Sequence, residues 1–224
     1  MMTNLFSTFD PCSSFNLSFN WVSAMIILFM LFPLFWLTPS RLTFIWLLLT
    51  NALHNEFKIL IKTTFFKGST LMMISLFIFI MMNNFIGLFP YIFTCSSHMN
   101  FTLYLSLPLW ISLMIFGWFM NTTHMLAHLV PQGAPKMLLP FLVIVETISN
   151  IIRPMTLAIR LTANMIAGHL LLTLLGNSGS NLNLFILNAL IISQILLLIL
   201  ESAVALIQSY VFSILMTLYS SEIK

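Results

Sequence analysis

The 224-residue sequence predicts an all-α integral membrane protein, and three observations carry that expectation. Hydrophobic residues make up 60% of the chain and charged ones only 6%, where a soluble domain carries about a quarter. The mean hydropathy is +1.05, so lipid rather than water must solvate most of these side chains. Apolar runs of spanning length recur between short polar breaks. A formal charge of +3 on scattered basic residues leaves no nucleic-acid footprint, so no nucleic-acid partner is expected.

The elements follow in order within a single membrane domain, 1–224. Residues 21–37 form a first transmembrane helix, with Pro33 tolerated near its end before Thr38, Pro39 and Ser40 break it. Residues 41–67 differ: Trp46, Leu49, Leu53, Phe57 and Leu60 recur on one side, and Asn51, Asn55, Lys58 and Lys62 on the other. That pattern predicts an amphipathic helix lying on the membrane surface. Residues 70–93, interrupted by Asn83 and Asn84, and residues 101–128 are two further transmembrane helices. Two overlong apolar stretches close the chain, 137–175 and 182–221, joined by the flexible turn 176–181. As single helices their apolar runs would each be roughly 57 Å long against a core of about 30 Å. Each therefore crosses twice or forms one strongly tilted or bent helix, and the turn favours a long tilted hairpin.

Basic residues set the orientation but not the number of crossings. With five crossings, Arg41, Lys58, Lys62, Lys67, Lys136 and Lys224 fall on one side, while 1–20, 94–100 and 176–181 carry no Lys or Arg. The C-terminus is then inside and the N-terminus outside. Residues 1–20 lack the basic n-region of a secretory signal and the arginines of a transit peptide. The abundance of Phe (22) and Met (16) against Gly (7) resembles proteins encoded in A+T-rich animal mitochondrial genomes. Cys12 and Cys95 make no metal-binding spacing.

Four ionisable residues, Glu146, Arg153, Arg160 and Glu201, remain deep in apolar sequence, with His169 nearby. Each ion at the bilayer centre costs about 2.5–3.5 kcal/mol on insertion scales, so such residues are functional by default. Glu146, Arg153 and Arg160 are spaced by sevens and share a stripe that drifts about 20° per step. Gln194, Glu201 and Gln208 form a second stripe on the last helix. Two polar stripes on facing helices describe the walls of a hydrated path. Thr156, Asn164 and Gly168 lie along the Arg160 face with Ala163 and Ala167 beside them, and small residues of this kind let a partner helix approach closely. The competing structural reading pairs Arg160 with Glu201 to hold the hairpin, although buried pairs rarely outdo apolar packing. Arg153, before Pro154, suits a structural role at a kink as well as a channel role. His169 lies about 180° around the helix from Arg160 and should face another neighbour.

The run Thr156-Leu-Ala-Ile-Arg160-Leu-Thr-Ala-Asn164-Met-Ile-Ala-Gly168-His169 resembles the signature of subunit a of the rotary F-type ATP synthase, in its animal mitochondrially encoded form. The similarity extends to Asn84-Phe-Ile-Gly87-Leu-Phe-Pro90-Tyr91, to His128-Leu-Val-Pro131-Gln132-Gly133 and to Glu201-Ser-Ala-Val-Ala-Leu-Ile-Gln208-Ser-Tyr210. The resemblance implies a proton-translocating stator subunit of the inner mitochondrial membrane, not catalytic by itself, that works beside a ring of c subunits and other stator subunits. It implies that Arg160 faces the ring, and that Glu201 and His169 line an inlet half-channel from the intermembrane space. Glu146 would line an outlet toward the matrix, and Asn164 and Gln208 would be polar neighbours of the arginine. The residue chemistry fits: arginine keeps its proton at any accessible pH, while Glu and His can exchange theirs near neutrality.

No cofactor is expected. His124 and His128 are four apart but lack further nearby ligands, and the matched histidine pairs of a haem-carrying cytochrome are missing. A secondary proton-coupled transporter, the rival class, usually shows internal repeats with paired broken helices, and none is found here. A structural subunit of a respiratory complex is the other alternative.

Overall fold

A computed structural model describes residues 5–13, 17–30, 37–61, 68–130, 135, 137–179 and 182–222. Seven α-helices follow one another among these residues: α1 (Ser23–Met30), α2 (Arg41–Leu60), α3 (Ser69–Gly87), α4 (Met99–Met120), α5 (Thr122–His128), α6 (Leu139–Ser178) and α7 (Leu184–Glu222). Short 3-10 turns cover Leu5–Phe9, Phe19–Val22 and Cys95–Ser97, and there is no strand among the described residues. Pro33 and the second half of the first expected span lie outside the described residues. So do Lys62, Lys67, Lys136, Lys224, the motif residues Pro131, Gln132 and Gly133, and Ser180 and Asn181 of the expected turn.

Four helices, α3, α4, α6 and α7, are long and apolar enough to cross a membrane. The two overlong stretches resolve as single continuous helices of 40 and 39 residues. Pro154 is accommodated inside α6 and Pro108 inside α4. The expected element 101–128 divides at Asn121, whose φ of −134° and ψ of 57° leave helical space and start α5 as a separate short helix.

α2 carries the amphipathic pattern expected of it. Leu53 and Phe57 are buried and Trp46 and Leu60 pack beside them, while Asn51, Asn55 and Lys58 are exposed. Its first turn is capped by Ser40, whose Oγ accepts from the Thr43 amide at 3.4 Å. α3 starts after Gly68, whose φ of 91° is a left-handed conformation that suits glycine.

The core joins these elements. Leu53 and Phe57 of α2 meet Met73, Phe77, Ile80 and Met81 of α3, Leu157 and Leu161 of α6, and Phe212 and Met216 of α7. α3 packs on α7, α4 on α6, and α6 on α7, so the hairpin is flanked on both sides. Along α7, Ala205, Ser209, Ser213, Thr217 and Ser220 are buried at helical spacing. Small side chains permit close helix approach. The hydroxyls of Ser209, Ser213, Thr217 and Ser220 each donate to the carbonyl three residues back, so none needs an interhelical partner.

α2 also reaches α7 through polar groups: the Tyr210 hydroxyl donates to Glu56 Oε2 at 3.1 Å. At the other end of the molecule Cys95 is buried and its sulfur lies 2.9 Å from Ser23 Oγ. Burial pushes the Cys95 thiol up, which keeps it protonated and unreactive.

Phe57 is fully buried at the junction of α2, α3 and α7. Phe57→Ala should cost about 3 kcal/mol through the cavity it leaves. Hydrogen exchange across Arg41–Leu60 should accelerate in that variant while the amides of α6 keep their protection, and unchanged exchange in α2 would contradict this packing.

Candidate functional site

The intramembrane ions divide sharply by environment. Arg153 is half-buried and compensated inside the chain: its Nη1 donates to Glu222 Oε2 at 2.8 Å and its Nη2 to Glu146 Oε1 at 3.5 Å. The guanidinium also sits 5.2 Å from the centre of the Tyr219 ring, a cation–π contact. This cluster ties α6 to the last turns of α7. Glu146 and Glu222 line a cavity of about 260 Å³ together with His128 and Asn150.

Arg160, one heptad further along, meets none of these groups. It is exposed, and no hydrogen bond or ion pair links it to any described residue. Thr156, Ala163, Asn164 and Ala167 are exposed around it, so a strip of small and polar side chains surrounds the cation. The pair between Arg160 and Glu201 weighed from sequence is not formed.

Glu201 is 8% exposed, and its carboxylate lies over Gly168 of α6. A Cβ at residue 168 would stand 2.8 Å from Glu201 Cδ and 3.1 Å from Cγ, so the missing side chain is what admits the carboxylate. Both Glu201 oxygens, and Nε2 of His169, which follows Gly168 in sequence, are buried without a hydrogen-bond partner among the described residues. Gly168 therefore does not stay open for a partner helix, as its place on the Arg160 face suggested; Glu201 fills the space. About two turns further along α6, a Cβ on Gly176 would stand 3.7 Å from the Gln194 amide nitrogen, which fixes the antiparallel register of the hairpin.

His169 turns to the other side of α6, away from Arg160. Its ring meets Phe9 edge-on at 6.4 Å between centroids. With Gln194 and Thr173 it lines a second cavity, of about 960 Å³, walled also by the segment containing Phe9 and Asp10 and by residues 87–94. Gly87 lets that last stretch fold back closely, since a Cβ there would stand 2.6 Å from the Thr94 methyl.

The two cavities lie at opposite ends of the α6–α7 hairpin, with Arg160 between them. From Arg153 to His169 is roughly 24 Å of helix at about 1.5 Å per residue. In that interval Leu157, Ala158, Leu161, Thr162 and Met165 are buried, so the inner face of α6 between the cavities is packed and mostly apolar.

Comparison with known proteins places the chain. The model of the family "ATP synthase A chain" matches residues 17–221. ATP synthase subunit a of Locusta migratoria is 62% identical over 224 residues, covering all of both chains. The Drosophila melanogaster protein of that name is 59% identical over the same full length, and that of Aedes albopictus 60% over 226 aligned positions. The chain belongs to the ATP synthase A chain family.

Within that family, the arrangement adds contacts that sequence reading did not contain. Gly168 stood out only as a small residue, yet an unpaired helix-interior glycine costs about 1 kcal/mol and so signals a close approach. Glu222 and Phe9 gave no comparable signal, because their contacts join segments remote in sequence.

Gly168→Ala should leave the helices in place, because the atom a methyl would strike is the end of a flexible side chain. The Glu201 carboxylate must move by about an ångström, and misplacement of that size can slow a positioned reaction by as much as about 100-fold. On the proposed role of Glu201 in the proton path, flux through assembled complexes should fall, and wild-type flux would show that the path does without the glycine seat.

Proposed function

We propose that this chain is the stator wall of the proton path in a rotary ATP synthase, in the mitochondrial inner membrane, with Arg160 facing a ring of c subunits. The observation that carries this reading is a permanent cation, exposed at the middle of a membrane-length helix and unpaired within its own described chain. An arginine in lipid demands compensation, and the strip of small residues around it leaves room for an external helix bearing an acid.

Glu201 and His169 serve the inlet, reached from the larger cavity beside the N-terminal segment. Glu146 serves the outlet, at the cavity by the C-terminal end of α7. Asn164, exposed one turn from Arg160, supplies a polar group on the same strip. Extending the register set by Gly176–Gln194 and Gly168–Glu201 one more step brings Gln208 level with Arg160. A proton entering through Glu201 passes to a ring carboxylate, travels with the ring, and leaves through Glu146. Arg160 holds each deprotonated ring carboxylate as it passes and cannot relay the proton itself. The chain conducts protons and does no ATP chemistry. A transporter would instead need its own substrate site near the midplane, where the hairpin interior is packed.

The orientation follows the placement of charge. α2, with Arg41 and Lys58, packs near the C-terminal half of α7 through Glu56 and Tyr210. The N-terminal segment meets the opposite end of α6 at His169. The N-terminus therefore faces the intermembrane space and the C-terminus the matrix. Single cysteines at the exposed positions Asn100 and Asn55, with Cys12 and Cys95 replaced by serine, should react with impermeant reagents from opposite sides. Reaction of both from one side would refute the orientation.

Arg160→Lys decides the stator reading. Lysine keeps the charge but can give up its proton when desolvated, and it replaces a rigid fork of donors with a flexible point charge. Assembled complexes carrying it should lose ATP-driven proton pumping, because the ring carboxylate is held poorly and protons leak past. Near-normal pumping in assembled Arg160→Lys complexes would overturn the proposal.

A further inference from the structure

The larger cavity carries a carboxylate that the path described so far does not use. Asp10 lines its mouth, is exposed, and has no ion-pair partner among the described residues. The backbone around it is held from three directions. His98 Nε2 donates to the Phe9 carbonyl at 2.9 Å, the Asn20 amide donates to the Asp10 carbonyl at 3.2 Å, and the Phe9 ring meets His169. Asp10 is thus fixed next in sequence to the residue that touches the buried histidine of the inlet.

Supply explains why a carboxylate would matter there. Protons are scarce at neutral pH, so even diffusion-limited capture through a narrow opening delivers them slowly, and delivery can limit flux. Negative charge at the mouth of a low-dielectric cleft concentrates cations and raises capture rates by about tenfold or more. Among the described residues the other titratable side chains lining this cavity are Cys12, Tyr91 and His169, and none of them is a carboxylic acid. His98 is engaged with the Phe9 carbonyl, and Cys95 is buried against Ser23.

The geometry points to Asp10 as the proton-collecting group of the inlet, a role that rests on the inlet reading of His169 and Glu201. It captures protons at the cavity mouth and passes them inward past Phe9 to the His169–Glu201 region.

The test uses the assembled synthase in proteoliposomes, with proton flux followed as the pH on the N-terminal side is varied and the total driving force held constant by a potassium diffusion potential. In Asp10→Asn the proton concentration for half-maximal flux should rise about tenfold, while the saturated rate falls less than twofold. Asp10→Glu should restore the wild-type value, and so should a high concentration of a small mobile buffer on that side. An unchanged half-saturating concentration in Asp10→Asn overturns the role. Equal loss of saturated rate in Asp10→Asn and Asp10→Glu, with no change in half-saturation, also overturns it by making the segment merely structural. Glu201→Gln is measured alongside: wild-type flux in that variant would refute the inlet reading itself. Blocked flux there with a silent Asp10→Asn would remove only the collecting role.

Discussion

Charge inside a membrane span has to be compensated, and the disposition of α6 and α7 follows from how four ions meet that demand. Each costs a few kcal/mol if left in lipid, against a net folding stability of only about 5–15 kcal/mol for a typical domain. Arg153 is answered by Glu146 on its own helix and by Glu222 across the hairpin. Glu201 is sheltered against Gly168, shut away from lipid. Arg160 alone of the four is neither paired within the described chain nor buried. In the proposed reading its compensation arrives from outside, which makes the chain one half of an interface.

The remaining helices keep the hairpin in the geometry that this division needs. The small-residue face of α7 lets α3 approach closely, and the hydroxyls on it spend their protons on their own helix. A wall built in this way resists rotation of α7 about its axis, which would otherwise carry Glu201 off its seat. α2 adds a buttress through Phe57 and through the Tyr210–Glu56 hydrogen bond. α4 supports α6 from the other side, and Trp110 on it reaches the cavity that holds Glu146.

Much of this was legible in the residues. Composition and run length located the four membrane-length helices, and the amphipathic repeat through Leu53 and Phe57 located α2 and its packing face. The crossing number of the two long runs was not, because length alone allows one bent helix or two short ones. Nor could the heptad stripe separate Arg153 from Arg160. A drift of about 20° per heptad, with Pro154 between them, turns one cation toward Glu222 and leaves the next facing outward. Both fates are consistent with the same spacing, and only the position of α7 decides between them. The contact of Phe9 with His169 was hidden for a related reason: it joins segments 160 residues apart, and no local pattern encodes it.

A path with two cavities works as a coupling device only if protons cannot cross between them inside the chain. In the proposed mechanism the buried stretch of α6 through Leu157, Ala158, Leu161, Thr162 and Met165 is one face of that barrier, since the one hydroxyl among them is bonded to its own helix. Water finds few polar partners on this face along roughly 24 Å of helix, and each molecule of a continuous chain would need two or more. Arg160 stands at the level of this barrier but on its outer surface. In the proposed mechanism the interior is closed by packing and the exterior by a cation that cannot pass a proton on. What remains open is transfer to an acid on the partner that moves past Arg160. Rotation is then the only continuation available to the proton, and the direction of flux is set by the electrochemical proton gradient between the two cavities.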